Sequence, residues 1–224
     1  MQNQNEKPGF GDGMNEFIQK YRMPIYISAG AILLLLIISI AGFSLLDVYK
    51  NRAIGNVEDL NSRYESLSNS INEEYLKNDV EQLLTDLETF AKRNSGYAGI
   101  KAWSIIGSIH SGRKNWEEAE AAWVTAAGKS EKSYLSPVAW FNAGVAAEEQ
   151  GSTVRAIDYY AKSLSAPAGF SAAPRAQFSI GRLRESLNDN DAAIAAYRAV
   201  ISGWPFDRVW TSLAQSRIIA LELN

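Results

Sequence analysis

The 224-residue sequence contains no cysteine. This absence excludes disulfide bonds, thiolate nucleophiles, cysteine-based zinc sites and the attachment cysteine of a lipoprotein. It does not fix the redox compartment, because a chain without cysteine is compatible with either side of a bacterial membrane.

Dense basic runs are also missing. Lysine and arginine together number 22 against 25 acidic residues, so the net charge is −3. A protein whose main ligand is nucleic acid carries a basic patch or stripe. Nucleic acid is therefore not expected as a partner.

The inventory of catalytic residues is equally poor. His110 is the single histidine, so it has no second histidine with which to hold a metal, and it stands in a packing position of the repeat described below. No serine lies in a nucleophile-elbow motif. Acidic residues such as Glu117 and Glu148 follow helical faces, as solvated side chains do. We expect no catalytic residue, metal, cofactor or small-molecule substrate, and hence not an enzyme.

What the sequence does contain is an internal repeat with a period of 37 residues. Gly107, Gly144 and Gly181 occupy one register. Further positions recur with the same spacing: Trp103 and Trp140; Ala119, Ala156 and Ala193; and the aromatic series Trp123, Tyr160 and Tyr197. A period of this length is the mark of a solenoid.

Each repeat has the pattern of two antiparallel helices. Trp103, Gly107 and His110 share one helical face, and Ala119 to Ala126 form the apolar stripe of a second helix. The polar stretch between them contains Gly112 and predicts a turn. Glycine and alanine let the two axes approach to the usual distance of about 8–10 Å. Units must stack, because one pair cannot bury its apolar face alone.

This pattern resembles the tetratricopeptide repeat, whose usual period is about 34 residues. The resemblance implies an all-α fold, a tetratricopeptide-type helical-hairpin solenoid, which here follows a single transmembrane helix. It also implies that the protein binds other proteins. The two-carboxylate clamp of some such domains is matched here by Asn142 and Arg175 alone, which argues against a receptor for chaperone C-terminal tails.

The transmembrane helix is predicted over residues 23–46. Pro24 to Leu46 is free of charge, and as a helix it is about 34 Å long, enough to cross a hydrocarbon core of about 30 Å. A cleaved signal peptide ending near Ser39-Ile40-Ala41 is the alternative, although the apolar run continues past that site. Basic residues are balanced on the two sides of the span, so charge leaves its orientation open.

The other boundaries follow from breaks in the pattern. Residues 1–22 are predicted as a flexible tail, 47–56 as a linker, and 57–224 as the repeat domain. Within this domain we predict a degenerate cap over 57–96 with a break at Asn78-Asp79. Full repeats at about 100–135, 137–172 and 174–206 follow, and a closing helix over 207–223. Asp207 is predicted to cap that helix, and Ser136 to cap the helix that opens with Pro137.

A protein-binding surface is predicted on the concave face, which the first helices of the repeats line. Residues of these helices that lie off the packing stripe point into it: Lys101, Ser104, Ser108, Val138, Phe141, Asn142, Val145, Arg175, Phe178 and Arg182. Phe141 and Phe178 suggest an apolar groove for a hydrophobic or helical segment of a partner. The alternative is that the closing helix or neighbouring residues cover these two rings.

The whole layout resembles the YfgM-like family of ancillary SecYEG translocon subunits. The resemblance rests on a short tail ending EFIQKYR, one span, the segment LETFAKRNSGYAGIKAWSIIG and the closing helix SLAQSRIIALELN. It implies a bacterial inner-membrane protein with a cytoplasmic N-terminus and a periplasmic repeat domain. Its partners would be translocon subunits and a membrane-anchored periplasmic chaperone. A cytoplasm-facing adaptor with the same fold stays open, and an enzyme is the least favoured alternative.

Overall fold

The computed structural model describes residues 10–69, 73–130, 133–165 and 170–223. Within these ranges all regular secondary structure is α-helical, which confirms the predicted all-α class. The chain divides into two compact units, Met1–Arg52 and Ala53–Asn224. The helices, in chain order, are α1 (Phe10–Ser68), α2 (Glu73–Arg93), α3 (Gly96–Gly112), α4 (Trp116–Gly128), α5 (Ser136–Glu149), α6 (Thr153–Ser165), α7 (Ala173–Ser186), α8 (Asn190–Gly203) and α9 (Arg208–Glu222).

The first unit contains the N-terminal part of α1. Residues 10–22, predicted as a flexible tail, and residues 47–56, predicted as a linker, are both helical. Residues 1–9 of that tail lie outside the described residues. Pro24 stands inside the helix, and no proline follows it in α1, so the helix continues through the charged residues that suggested a linker.

The apolar segment of α1 is exposed in the first unit. Ile32 to Ile38 each keep 54–63 % of their surface accessible. Within Gln19–Ser68 an 18-residue segment has a mean hydropathy of 2.6, so this helix is long and apolar enough to cross a membrane. Length and composition thus fit a membrane span.

The second unit begins with a helix pair formed by residues 53–68 of α1 and by α2. Val57, Leu83 and Leu87 are fully buried in its core. The predicted break at Asn78-Asp79 is wrong, because both residues lie within α2 and are exposed. Instead, α1 ends at Ser68 and α2 begins at Glu73.

Three full helix pairs follow: α3 with α4, α5 with α6, and α7 with α8. Each pair turns through one residue with a left-handed backbone, namely Lys114 (φ 59°), Gly151 (φ 71°) and Asn188 (φ 59°). These residues are again 37 apart. The same turn geometry therefore recurs in each pair, including at Lys114, where a side chain is unfavourable.

The helix ends agree with most of the predicted signals. Pro137 and Pro174 lie in the first turns of α5 and α7, and α8 ends at Gly203, shortly before Pro205. Asp207 caps α9, since its side chain accepts a hydrogen bond from the Trp210 amide. The predicted cap at Ser136 is wrong.

The residue that precedes α5 is Leu135, and the hydroxyl of Ser136 has a different role. Ser136 is buried, and its Oγ donates a hydrogen bond to the Ala127 carbonyl at 3.1 Å. The hydroxyl therefore satisfies a carbonyl near the C-terminus of α4 and ties α5 to the preceding pair.

Candidate protein-interaction face

The crossing of the two helices in each full repeat is built from a glycine and an aromatic ring. A Cβ atom added to Gly107 would lie 2.6 Å from the Trp123 ring. The same atom at Gly144 would lie 2.7 Å from the Tyr160 ring, and at Gly181 2.6 Å from the Tyr197 ring. The three glycines occupy matching helix crossings, as the repeat predicted.

These crossings place α3, α5 and α7 side by side with residues 53–68 of α1, and we call the surface of these four segments the first-helix face. A cavity of about 240 Å³ opens in it. The lining includes Asn61, Tyr64, Tyr97, Lys101, Ser104, Ile105, Ser108, Trp123, Leu135 and Val138. Four of the ten predicted binding residues, Lys101, Ser104, Ser108 and Val138, therefore meet at one place.

The charge in this cavity is already neutralised. Lys101 Nζ lies 2.6 Å from Glu58 Oε2, and the Tyr97 hydroxyl donates to Glu58 Oε1 at 2.9 Å. The hydrogen bonds from Lys101 and Tyr97 lower the pKa of Glu58. Burial lowers the pKa of Lys101, but the hydrogen bond to Glu58 and the neighbouring negative charge outweigh it and raise the pKa. Both side chains stay ionised at neutral pH and pair with each other.

The remaining lining is apolar or aromatic and partly open. Val138 is 40 % exposed, and the Tyr134 ring beside the cavity is 62 % exposed and stacks on Tyr97 at 6.2 Å. Ser104 Oγ donates to the Ile100 carbonyl of its own helix. Apolar walls with a few fixed polar groups are the usual lining of a site that accepts a side chain from a ligand.

A second cavity, of about 400 Å³, lies at the other end of the face. Its lining includes Phe178, Arg182, Glu185, Ser186, Tyr197 and Arg217, of which Phe178 and Arg182 are predicted site residues. Arg182 pairs with Glu148, and Arg217 pairs with Glu185. Both arginines of this cavity are thus also paired with glutamates of the same chain.

The two rings predicted to form an apolar groove differ in burial. Phe141 is 7 % exposed and packs against Tyr160 and Phe170, with the Arg175 guanidinium 5.2 Å from its ring centre. Phe178 lies between Tyr197 and Trp210 of α9. Neighbouring residues thus cover Phe141, as in the alternative, whereas Phe178 is half-buried and lines the second cavity. Asn142 and Val145 are half-buried, and Arg175 is exposed.

Sequence reasoning missed the part of the cavity that the cap contributes. Tyr64 and Asn61 come from α1 and were assigned to the cap. Tyr64 precedes Lys101 by 37 residues, so extending the repeat register into the cap would have pointed to it. Trp123, predicted as core, is 6 % exposed and also lines the cavity.

A polar contact that spans neighbouring repeats recurs along this face, and we call it the tyrosine–glutamate–arginine latch. The Tyr160 hydroxyl donates to Glu148, which also pairs with Arg182 of the next repeat. The Tyr197 hydroxyl donates to Glu185, which pairs with Arg217 of α9. In the first repeat the indole of Trp123 donates to Ser111 Oγ at 3.2 Å instead.

The environment of the latch shifts the pKa values of both tyrosines and of Glu185. Burial, together with the adjacent Glu185, raises the pKa of Tyr197 to about 12. Burial beside Glu148 raises the pKa of Tyr160 as well. Burial also raises the pKa of Glu185, but hydrogen bonds from Arg217 and Tyr197 outweigh it, so this pKa is lowered overall. The latch at Tyr197 therefore keeps a neutral tyrosine beside a charged Glu185 at neutral pH.

His110 is half-buried in the packing of α3. Its Nδ1 is buried without a hydrogen-bond partner, and burial lowers its pKa. Across the described residues no group of three or more His, Asp or Glu side chains is placed to hold a metal ion.

Comparison with known proteins agrees with this repeat geometry. The tetratricopeptide repeat family matches residues 106–172 and 168–208. The helix pairs over these residues have the tetratricopeptide-type fold. The remainder of the second unit extends the repeats at both ends, with the cap pair before them and α9 after them.

Two similar proteins extend the comparison. The chain is 35 % identical over 144 residues to a TPR repeat-containing protein of Treponema pallidum (strain Nichols), a match that covers 63 % of this chain and 59 % of that protein. The chain thus spans less than two thirds of that relative's length. A crystal structure of MamA aligns over 68 % of this chain and 91 % of the MamA chain, with 20 % identity and a TM-score of 0.45.

Proposed function

We propose that this protein is a membrane-anchored interaction module that holds a segment of another polypeptide on its first-helix face. The observation that carries the proposal is the cavity between α1, α3 and α5. Its aromatic and apolar walls are partly open, and its lysine, Lys101, is already paired with Glu58 within the chain. Such a site favours an apolar side chain of a partner, because no unpaired charge has to be neutralised on binding.

The form of the partner segment follows from the lining. Exposed Val138 and Tyr134 offer apolar contact area, and the rings of Tyr97 and Tyr134 give it a rigid aromatic edge. The cavity is about large enough for one bulky side chain. We therefore expect a helical or extended segment that anchors one large apolar residue there.

The membrane anchor is proposed from the exposed apolar part of α1. The resemblance to YfgM-like proteins suggests an ancillary subunit of the Sec translocon in a bacterial inner membrane, with the N-terminus cytoplasmic and the repeats periplasmic. There the repeats would bring a membrane-anchored chaperone close to emerging polypeptides. A cytoplasm-facing adaptor for another complex is the second candidate, because the basic residues that flank the span do not set its direction.

The binding face is tested with a matched pair of variants. Val138→Asp places a charge beside the cavity, whereas Val154→Asp places the same charge on α6, where Val154 is 72 % exposed. Affinity purification after crosslinking in native membranes identifies the partners of each. We expect Val138→Asp to lose roughly tenfold or more of the captured partner and Val154→Asp to retain it. Equal capture by both variants would remove the first-helix face as the binding surface.

The direction of the span needs a separate experiment. Because the chain has no cysteine, Thr125→Cys on an exposed position of α4 provides a unique label in the repeats. A membrane-impermeant maleimide should modify it in cells whose outer membrane is permeabilised. Labelling that requires lysis of the inner membrane would favour the cytoplasmic adaptor instead.

A further inference from the structure

Helix α9 has one buried face and one exposed apolar face. Trp210, Ile218 and Leu221 pack with fully buried Ala214 against the last repeat. On the other side four large apolar residues remain exposed: Val209 (65 %), Leu213 (44 %), Ile219 (58 %) and Leu223 (81 %). Within the described residues no helix covers this side. Exposed apolar residues that form one patch in this way mark an interaction surface, whereas single scattered ones do not.

The exposed residues are arranged symmetrically about Ser216. Leu213 and Ile219 stand three residues before and after it, and Val209 and Leu223 stand seven residues before and after it. Two antiparallel copies of α9 that meet at Ser216 would therefore bring Leu213 level with Ile219 of the second copy. Val209 would likewise lie level with Leu223. A surface that is complementary to itself in this way is the requirement for a two-fold contact.

The centre of this surface permits close approach. Ser212 and Ser216 are small and one helical turn apart, and both are exposed. Ser216 Oγ donates to the Ser212 carbonyl at 3.0 Å, so the hydroxyl can be buried without losing its hydrogen bond. Small residues at a crossing allow the helix axes to come closer than larger side chains do.

Charge distinguishes the antiparallel from the parallel arrangement. Arg208 is exposed at the N-terminus of α9, and Glu222, which pairs with Arg198 of α8, is exposed at its C-terminus. Antiparallel pairing brings Arg208 close to Glu222 of the second copy and to the negative end of that helix dipole. Parallel pairing would place the two Arg208 side chains together. Charged pairs at a rim set orientation more than affinity.

From these observations we infer that α9 is a self-association surface, whose partner is α9 of a second copy in an antiparallel contact centred on Ser216. One helix pair covers less area than the 1,200–2,000 Å² or so of a stable interface. The dimer is therefore weak, and it forms readily when copies are concentrated, as in one membrane.

The first test uses disulfide trapping in the full chain, purified in detergent. Ser216→Cys puts the new thiol on the two-fold axis, next to its own copy. Gln215→Cys puts an equally exposed thiol one residue away, outside the contact. Under mild oxidation we expect Ser216→Cys to form a covalent dimer at least roughly tenfold faster than Gln215→Cys. Equal rates, or no dimer from Ser216→Cys, would overturn the inference.

The second test measures association without a crosslink. Leu213→Asp combined with Ile219→Asp should weaken dimerisation by roughly a hundredfold, as followed by sedimentation of the full chain in detergent. Circular dichroism checks that the helices remain. Arg208→Glu should also weaken the dimer, because the new carboxylate would face Glu222 of the second copy. A dimer that persists in the double aspartate variant, or a parent chain that stays monomeric at high concentration, contradicts the contact.

Discussion

At the scale of single residues, the tightest contacts in the repeats join a glycine to an aromatic ring. Gly144 faces Tyr160 so closely that an added Cβ would lie 2.7 Å from the ring, whereas nothing lies within 4 Å of the same atom at Gly55. Both residues stand in helices. Alanine has a higher helix propensity than glycine at both positions. Packing alone therefore decides whether a change from glycine to alanine stabilises or destabilises the protein.

Gly144→Ala should therefore destabilise the repeats by roughly 1–3 kcal/mol, because the Tyr160 ring must shift within a packed core. Gly55→Ala should stabilise by about 0.5–1 kcal/mol. Urea unfolding followed by tryptophan fluorescence measures both free energies. A Gly144→Ala protein as stable as the parent would mean that the ring moves without cost.

Burial of His110 predicts that the stability of the protein depends on pH through this single residue. Burial lowers its pKa below the ordinary value of 6.5, so the unfolded chain binds this proton more readily than the folded chain. Its contribution to stability is therefore complete above about pH 6.5 and is lost as the pH falls below that value. The neighbouring ionised groups, Glu118, Arg113, Glu81 and Glu88, do not reverse this direction.

His110→Phe keeps an aromatic ring in the packing position and removes the titration. We expect its unfolding midpoint to change less than that of the parent between about pH 7.5 and about pH 5.5. The paired carboxylates of Glu58 and Glu185 do not interfere, because their hydrogen bonds lower the pKa of each from the ordinary value of 4.5. Because the chain has one histidine, NMR titration of the parent reads the same pKa directly. Parallel pH profiles for the two proteins would contradict the prediction.

At the scale of helices and repeats, the tyrosine–glutamate–arginine latch couples one helix pair to the next. Tyr160→Phe removes a hydrogen bond from a buried ring and should cost about 1 kcal/mol. Arg182→Ala should cost less than about 1 kcal/mol, because the Arg182 side chain is 48 % exposed and solvent screens its ion pair.

Because both partners bind Glu148, the double variant should lose less than the sum of the two single changes. Arg198→Ala offers the control, since Arg198 pairs with Glu222 away from the latch, and its effect should add to that of Tyr160→Phe. Chemical denaturation of the parent, the three single variants and the two double variants completes both cycles. Strict additivity between Tyr160→Phe and Arg182→Ala would show that the latch does not act as a unit.

At the scale of the whole molecule, the proposed anchor makes a prediction about the apolar part of α1. Leu35 and Ile38 lie near the middle of the uncharged stretch, and an arginine at the centre of a span costs about 2.5–3.5 kcal/mol. The parent chain should stay in the membrane pellet after alkaline carbonate extraction, and the variant with Leu35→Arg and Ile38→Arg should shift to the supernatant. Release of the parent by carbonate alone would argue for the signal-peptide alternative.

The sequence by itself determined the class of this protein. Gly107, Gly144 and Gly181 recur with their aromatic partners at a fixed spacing, and such local periodicity reports directly on which helical faces pack together. The same applies to the closing helix, whose Asp207 cap is a local signal. It also applies to the apolar stretch of α1, whose composition and length predict a membrane span. The limits of α1 were less accessible, because a charged surface does not end a helix that lacks a breaker.

The tertiary structure decided which of the predicted binding residues can meet a partner. Phe141 and Phe178 share one register position with Ser104, yet both rings pack against residues outside their own helices, Phe170 and Trp210, and Phe141 is buried there. Likewise, the cavity beside Val138 depends on Tyr64 from the cap. Exposure is a property of contacts between distant segments, whereas a repeat pattern describes one segment at a time. For that reason the packing of each helix pair was readable from the sequence, and the binding surface was not.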